Sequence, residues 1–295
     1  MKYETGADFR RALEDRLLAQ GRSTGRPLIR LRRAVVFDRF LARLLVAEPG
    51  AWVLKGGLAL QLRLGDRARV TNDVDVLLVE PLADLRVIVA EAALLDLGDW
   101  FRFTVTMPEV PLPDEADTVR FRVLGLLDGR RFETFNLDIG IHDRLLEPTE
   151  ALTMPDLLQF AGIVPATIRC YSIGQQIAEK VHAYTQTYAS GSSTRVKDLV
   201  DIVLIAGIGP VRSGTLRQAF QLTFAARGLR HAPGRLPDAP VGWDAQYARL
   251  AREIGLDHRS VAEAVGAARK FLDPVLGNDL KDDAMWSPGD WRWRT

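Results

Sequence analysis

Residues 52–79 read WVLKGGLALQLRLGDRARVTNDVDVLLV, and the fold turns on how they are read. An apolar run, Trp52-Val53-Leu54, ends at Lys55 and a glycine pair, Gly56-Gly57. In the next segment Leu58 and Leu62, and Leu60 and Leu64, are each four apart. That alternation also suits a strand; because the segment leaves a glycine turn, it is read as a helix. A basic loop with Arg67 and Arg69 leads to Asp73-Val74-Asp75 and the apolar run Val76-Leu77-Leu78-Val79. The expected order is strand, glycine turn, helix, loop, strand, with two carboxylates at the mouth of the second strand. Residues two apart in a strand share a face, so Asp73 and Asp75 project together while Val74 and Val76 go the other way.

Two neighbouring carboxylates repel, and each raises the other's pKa unless a cation sits between them. A divalent cation is the usual solution, and Mg2+ suits one or two carboxylates plus substrate phosphates. Gly56 and Gly57 supply the complement. Without side chains the backbone turns sharply and approaches a ligand, and the free N–H groups opening the next helix favour a phosphate. Metal-binding acids beside a phosphate cradle point to chemistry on a nucleoside triphosphate. A lone Asp-x-Asp is more often a surface turn; the glycine pair and the apolar runs on both sides reverse that preference.

The chain has 295 residues, enough for two domains or one large one, and 47% of them are hydrophobic, enough for ordinary cores. A formal charge of +1 means that any nucleic-acid partner is met by a local basic patch and not by the global field. The single cysteine, Cys170, excludes an intramolecular disulfide and fits a reducing cytosol. The start, MKYETGADFRRALEDR, lacks the apolar core of a signal peptide, and no run approaches the roughly eighteen apolar residues of a membrane span. A cytoplasmic protein without a membrane partner is expected.

Upstream of the quoted stretch, residues 6–19 read as a helix with Phe9, Leu13 and Leu17 on one face, broken by GRSTGRP. Pro27 starts a longer helix. Its arginines, Arg26, Arg30 and Arg33 in the first half and Arg39 and Arg43 in the second, lie opposite the apolar stripe. They form either a solvated face or a footprint for a phosphate backbone. Downstream, Pro81 opens a helix from Leu82 to Leu95, and strands are expected over 101–105, 118–126 and 132–141, separated by PEVPLPDEAD and LDGRR. Alternating helices and strands indicate an α/β first half, a mixed sheet with helices packed on it. From about Pro155 the pattern turns helical. Ser172-Ile173-Gly174-Gln175 has capping-box form and opens a helix to about Tyr188. After the loop ASGSST, helices follow from near Thr194 and over 213–226, 243–254 and 259–273. The tail, with Trp286, Trp291 and Trp293, is expected to dock on the body.

The segments LKGGLAL and RVTNDVDV resemble the first motif of the DNA polymerase β-like nucleotidyltransferases, a Gly-Gly or Gly-Ser turn followed by Asp-x-Asp. Within that superfamily they resemble the AbiEii/AbiGii toxins of type IV toxin–antitoxin systems, which include the mycobacterial MenT toxins. The family's Ser or Thr after the glycines, whose hydroxyl helps hold the triphosphate, is Leu58 here. Two further segments carry the resemblance. IAEKVHAY places Lys180 where the family has a phosphate-contacting lysine, and RVKDLVDI matches its Arg-x-Lys-Asp-x-x-Asp helix.

The resemblance implies a nucleotidyltransferase-like mixed β-sheet with flanking helices over residues 1–150 and a helical domain over 151–295 that completes the active-site cleft. It also implies a third acid on a strand beside Asp73 and Asp75. In RFETFNLDIG, Thr134, Asn136 and Asp138 share the face opposite Phe135, Leu137 and Ile139, so Asp138 is the candidate; Glu133 is on the wrong face and Asp143 past the strand end. An edge-strand acid facing water is the alternative. Asp73, Asp75 and Asp138 are thus the expected ligands of Mg2+ or Mn2+, and Lys55, Gly56, Gly57, Arg69, Thr71 and Lys180 the expected nucleotide contacts.

Lys180 lies on the apolar ridge of Ile173, Ile177, Val181, Tyr184 and Tyr188, where a lysine either snorkels or aims into a cleft. Without a triphosphate its ammonium is expected to lack a partner, so that Lys180→Ala leaves stability unchanged or slightly raised. His182, one residue past the ridge, is expected to be structural or solvent-facing. Asp198 and Asp201 either pair with Arg195 and Lys197 respectively, or one of them joins the catalytic residues; the sequence does not choose between the two aspartates. The implied activity is transfer of a nucleoside monophosphate from an NTP to an acceptor hydroxyl with loss of pyrophosphate. The implied acceptor is RNA, the 3′ end of tRNA, and the implied partner a cognate antitoxin encoded nearby. The alternatives are a nucleotidyltransferase acting on a drug or metabolite, and a catalytically silent nucleotide-binding protein, for which Leu58 is the hint.

Overall fold

The computed structural model describes residues 2–80, 84–107, 118–141, 144–186 and 195–295. Pro81 and Leu82, the PEVPLPDEAD loop, Asp143, Tyr188, the ASGSST loop and Thr194 lie outside the described residues. The chain falls into two compact units: residues 1–63, 70–141 and 150–170, and residues 64–69, 142–149 and 171–295.

The first unit contains α1 (Gly6–Thr24), α2 (Leu28–Ala47), β1 (Trp52–Lys55), most of α3 (Gly56–Leu64), β2 (Asp73–Leu78), α4 (Leu85–Leu94), β3 (Phe101–Thr106), β4 (Thr118–Leu127), β5 (Arg130–Gly140), β6 (Glu150–Thr153) and β7 (Thr167–Cys170). Its seven strands form one mixed sheet in the order β3-β4-β5-β2-β1-β7-β6. β2 pairs antiparallel with β1 and parallel with β5, and β1 pairs parallel with β7. The mixed α/β class is as the sequence indicates. One face of the sheet is apolar: Val74 and Val76 of β2, Phe121 and Val123 of β4, and Phe135, Leu137 and Ile139 of β5 are buried in one core with Phe9 and Leu13 of α1, Phe37 and Phe40 of α2 and Val89 of α4. The helices on that face leave the other free to carry polar groups.

Several local expectations change. α1 runs on through Gly21 to Thr24, because the left-handed capping position falls at Gly25 (φ 71°). α4 begins at Leu85, where the Asp84 carboxylate accepts from the N–H groups of Arg86 and Val87. The helical pattern expected from Pro155 does not begin there. Residues 167–170 instead form β7, which pairs with β1 and buries Ile168 and Cys170; four residues are too few to show a strand period.

The second half of the arginine stripe on α2 is neither a solvated face nor a phosphate footprint. Arg39 and Arg43 are buried, at 4% and 0% exposure. All five donors of Arg43 are engaged. Nε donates to the Leu95 carbonyl, Nη1 to the Arg39 carbonyl and Asp99 Oδ2, and Nη2 to Asp99 Oδ1 and the Phe101 carbonyl, at 2.7 to 3.0 Å. The guanidinium thereby ties the end of α4 and the start of β3 to α2. Arg32 does similar work lower on the helix, bridging Glu14 of α1, Glu133 and the Phe132 carbonyl of β5.

The second unit is helical. It holds α5 (Ile173–Thr185), α6 (Val196–Ala206), α7 (Ser213–Ala226), α8 (Asp244–Glu253), α9 (Val261–Leu276) and a two-stranded ribbon of β8 (Met285–Ser287) and β9 (Arg292–Arg294). Only half of the expected capping box forms on α5. Ser172 accepts from Gln175 N–H, but the Gln175 side chain turns to the Leu146 N–H and the Arg144 carbonyl. The aromatic tail docks: Trp286 donates to the Ala206 carbonyl at 2.7 Å and Trp293 to the Phe271 carbonyl at 2.9 Å. His182 is buried, bonded to Gln186 and edge-on to Phe224, a structural place. Among the described residues no helix is long and apolar enough to cross a membrane.

Arg43 gives a direct test of the joint. Lysine keeps the charge but cannot reproduce a five-donor fork, and leaves Asp99 and two buried carbonyls underbonded. Arg43→Lys should destabilise the chain by about 3 kcal/mol, read from denaturant melts; a loss under about 1 kcal/mol would show that the joint does not depend on the fork.

Candidate functional site

The polar face of the sheet is ordered by register. Lys55 of β1 lies opposite Asp75 of β2, Asp75 opposite Asp138 of β5, and Asp138 opposite Arg120 of β4. Residues directly opposite share a face, so these four side chains form one row across four strands spaced about 4.8 Å apart. A second row holds Asp73, Asn136 and Arg122. Asp73 is held by Asn136, whose Nδ2 donates to Asp73 Oδ1 at 2.9 Å, while the Thr71 hydroxyl donates to the Asp73 carbonyl at 3.2 Å. Thr71 is buried, and this bond turns its hydroxyl toward the Asp73 backbone. Arg33 reaches the same loop, donating to Asn72 Oδ1. Asp138 receives both arms of Arg120, Nε on Oδ1 and Nη2 on Oδ2, each at 2.6 Å.

The glycine turn meets this row. Gly56 has φ +65°, in the left-handed region, and a Cβ built there would lie 2.1 Å from Asp75 Oδ2. Glycine is therefore required twice, by the backbone angle and by the carboxylate against it. Gly57 is buried in the first turn of α3, and Leu58, where a hydroxyl was missed, packs into the core at 1% exposure. This donor set fits a divalent cation on Asp73 and Asp75: two carboxylates on one face, beside a turn that a Cβ would fill. Among the described residues no three His, Cys, Asp or Glu side chains gather as a cage, and the third carboxylate carries a guanidinium.

In the second unit Lys180, Asp198, Asp201 and Arg69 form a charge network. Lys180 Nζ lies 2.8 Å from Asp198 Oδ1 and 2.9 Å from Asp201 Oδ2. Arg69 forks onto Asp201, Nε on Oδ1 at 3.0 Å and Nη2 on Oδ2 at 2.9 Å. Burial alone pushes the Asp201 carboxyl up, but the charges of Lys180 and then Arg69 outweigh it and hold the group below its ordinary value. Burial likewise pushes Lys180 down, and Asp198 and Asp201 more than reverse it. Two expectations are overturned here. Lys180 has carboxylate partners without any triphosphate, because α6 presents both aspartates to it. Asp201 pairs with Lys180 and Arg69 and not with Lys197, which is exposed, while Arg195 stands 4.0 Å from Asp198.

Comparison with known proteins follows this geometry. The family described as "Nucleotidyl transferase AbiEii toxin, Type IV TA system" matches residues 39–271. The chain belongs to the AbiEii family. Its members are nucleotidyltransferase toxins of type IV toxin–antitoxin systems, so the family makes this chain an enzyme. MenT4, a nucleotidyltransferase toxin from Mycobacterium tuberculosis H37Rv, is similar in structure, with a TM-score of 0.58 and 20% identity over 94% of this chain and 92% of that one. JHP933 from Helicobacter pylori superposes with a TM-score of 0.45 and 16% identity over 84% of this chain and 94% of that one. The likeness to MenT4 shows the fold. No curated protein sequence matches the chain.

On this AbiEii sheet, sequence reasoning placed Asp73, Asp75 and Asp138 on a common face but missed Arg120 and gave Asn136 no task. Strand alternation puts Asn136 on the face of Asp138, which was the available signal for it. The alternation of Val119, Phe121 and Val123 likewise put Arg120 on the polar face of its strand, but its pairing with Asp138 depends on a shift of register between β4 and β5.

Two substitutions follow from this geometry. Gly56→Ala should cost about 1–3 kcal/mol in strain, yet reduce nucleotidyl transfer by on the order of a hundredfold, since it displaces Asp75. A matched loss of rate and stability would deny the turn its positioning role. Lys180→Met should destabilise the chain by roughly 3–5 kcal/mol, by leaving Asp198 and Asp201 short of a cation. The sign with pH is fixed. The Asp201 contribution is present above its unfolded pKa of about 3.9 and is lost as pH falls through the lower folded value. That of Lys180 is full below about pH 10.4 and is lost as pH rises through the higher folded value. The gap between wild type and Lys180→Met should hold from pH 6 to 9 and shrink below about pH 4, measured by denaturant melts.

Proposed function

We propose that the chain transfers a nucleoside monophosphate from an NTP to the 3′-terminal hydroxyl of a tRNA in the cytoplasm, blocking translation until a cognate antitoxin encoded beside it intervenes. The observation that supports this reading most directly is the row of Asp75 against the Gly56 turn, with Asp73 two residues away on the same face, in a chain of the AbiEii family. The acceptor oxygen bonds the α-phosphorus, and the bond from that phosphorus to the oxygen bridging to the β-phosphate breaks. Pyrophosphate leaves with the electron pair and the hydroxyl proton passes to water.

We assign Mg2+ or Mn2+ to Asp73 and Asp75. Bound there, the cation favours ionisation of the acceptor hydroxyl and offsets charge on the α-phosphate and the leaving group. Asn136 keeps the Asp73 carboxylate turned along the face. Gly56 and Gly57 let the backbone approach the triphosphate, whose charge suits the N-terminus of α3, and Lys55 adds a cation at the end of β1. In the second unit Lys180 is the residue we assign to phosphate, as the cation on the α5 ridge. Asp198, whose second oxygen stands 4.0 Å from Arg195, is the aspartate we assign with it, since Asp201 is already forked by Arg69.

A second reading, transfer to a small metabolite, draws on one observation. Two of the α2 arginines that could have tracked an RNA backbone, Arg39 and Arg43, are turned into the core, and Arg32 is held on two glutamates. The two readings separate in one assay. The purified chain, given each α-32P-labelled NTP with Mg2+ or Mn2+, should label total tRNA and release pyrophosphate, and Asp73→Asn should abolish both. Periodate-oxidised tRNA should not be labelled. Label in a small-molecule extract with none in tRNA would establish the second reading, and no incorporation into either would refute transfer altogether.

A further inference from the structure

Asp138 is the carboxylate that a three-acid metal centre would recruit, yet both of its oxygens already carry a cation. Arg120 approaches side-on, with Nε and Nη2 each 2.6 Å from an oxygen. The arginine is placed by the backbone. β4 and β5 are joined by a tight turn at Asp128-Gly129, and pairing from it runs Leu127 with Arg130 and Leu126 with Arg131. The register then shifts by one, so that Gly125 faces Glu133 and Arg120 faces Asp138. Without that bulge Arg120 would lie opposite Leu137, and its side chain would be on the wrong face for Asp138.

The charge balance of the row follows. Lys55 and Arg120 at its ends match Asp75 and Asp138 between them, so it is neutral with no metal present. A divalent ion on Asp138 would sit beside a guanidinium that never deprotonates, a repulsion that a partly buried pair feels more strongly than an exposed one. Asp73 has no such competitor in its bond with Asn136, a neutral amide.

We infer that Arg120 withholds Asp138 from the metal, so that the centre is built on Asp73 and Asp75 alone and needs the phosphates of the substrate to complete its coordination. The inference rests on the transferase reading above. Arg120 is in this sense a positioning residue that acts through Asp138. The cation then binds weakly to the free protein and firmly only with the nucleotide.

Titration of the full chain with Mn2+ alone, following free Mn2+ by electron paramagnetic resonance, tests this without turnover. Asp138→Asn should bind Mn2+ within about twofold of wild type, since that carboxylate is not a ligand. Arg120→Met should bind it about tenfold tighter, by freeing a third carboxylate. The double variant should return to the wild-type value, because the gain passes through Asp138. A loss of about tenfold or more in Asp138→Asn would overturn the inference, as would weaker binding in Arg120→Met. If Arg120→Met fails to fold, the Asp138→Asn arm still decides, since an asparagine keeps the shape and an acceptor for Arg120. Asp73→Asn in the same series separates the two levels. Weakening there together with equal weakening in Asp138→Asn refutes only the withholding by Arg120. No weakening in Asp73→Asn refutes the assignment of the metal to this face, and the inference with it.

Discussion

Asp75 and Asp138 stand directly opposite one another on neighbouring parallel strands, and the first unit is arranged around keeping that pair of like charges tolerable. Side by side at the spacing of two strands, two carboxylates repel one another. The sheet answers with cations at both ends of the row, Lys55 on β1 beside β2 and Arg120 on β4 beside β5. It also places a glycine where any Cβ would collide with Asp75. The opposite face carries the cost of stability: Val74, Val76, Leu137 and Ile139 are fully buried beneath the helices, which fixes the strands whose other sides hold the acids.

The buried cations fall into two kinds, distinguished by what they bind. Arg43 gives three of its five donors to backbone carbonyls and two to Asp99, so no ligand can compete for it without undoing the joint of α2, α4 and β3. Asp38, whose carboxyl burial pushes up and Arg39 only partly restores, similarly holds the backbone before β7 through the Ala166 N–H at 2.7 Å. Lys180 and Arg69 differ, since they bond the carboxylates of Asp198 and Asp201. A phosphate offers the same acceptor chemistry as a carboxylate, which the backbone carbonyls that hold Arg43 do not. That difference separates cations which build the fold from cations which can serve a ligand.

Membership of the AbiEii family and the geometry of the sheet bear on different parts of the function. The family establishes a nucleotidyltransferase toxin, while the row of acids beside the Gly56 turn is the place on this chain proposed for that chemistry. The acceptor is where the molecule is least like a simple RNA binder. Its arginine-rich helix, α2, has turned much of its charge inward, and the net charge of +1 supplies no general attraction for a polyanion. The proposed recognition of a tRNA end would therefore rest on a small number of local contacts.

Much of this was written in the chain. The glycine pair, the Asp-x-Asp at the head of an apolar strand, the period-two alternation around Asp138 and the ridge carrying Lys180 are local patterns, and local patterns survive in sequence because each depends on neighbours a few residues away. What the sequence could not carry were relations between distant segments. The four residues of β7 are a strand only because β1 and β6 lie beside them. Arg39 and Arg43 sit on what looks like a polar helix face, and only the packing of α4 and β3 against that face buries them. Lys180 looks unpartnered until α6 brings Asp198 and Asp201 to it. The pairing of Arg120 with Asp138 depends on a single-residue shift in register next to Gly125, where a Cβ would lie 2.5 Å from Val36 of α2. Side chains alternate with a period of two, so one residue of slip decides which face an arginine occupies, and only tertiary packing selects the slip.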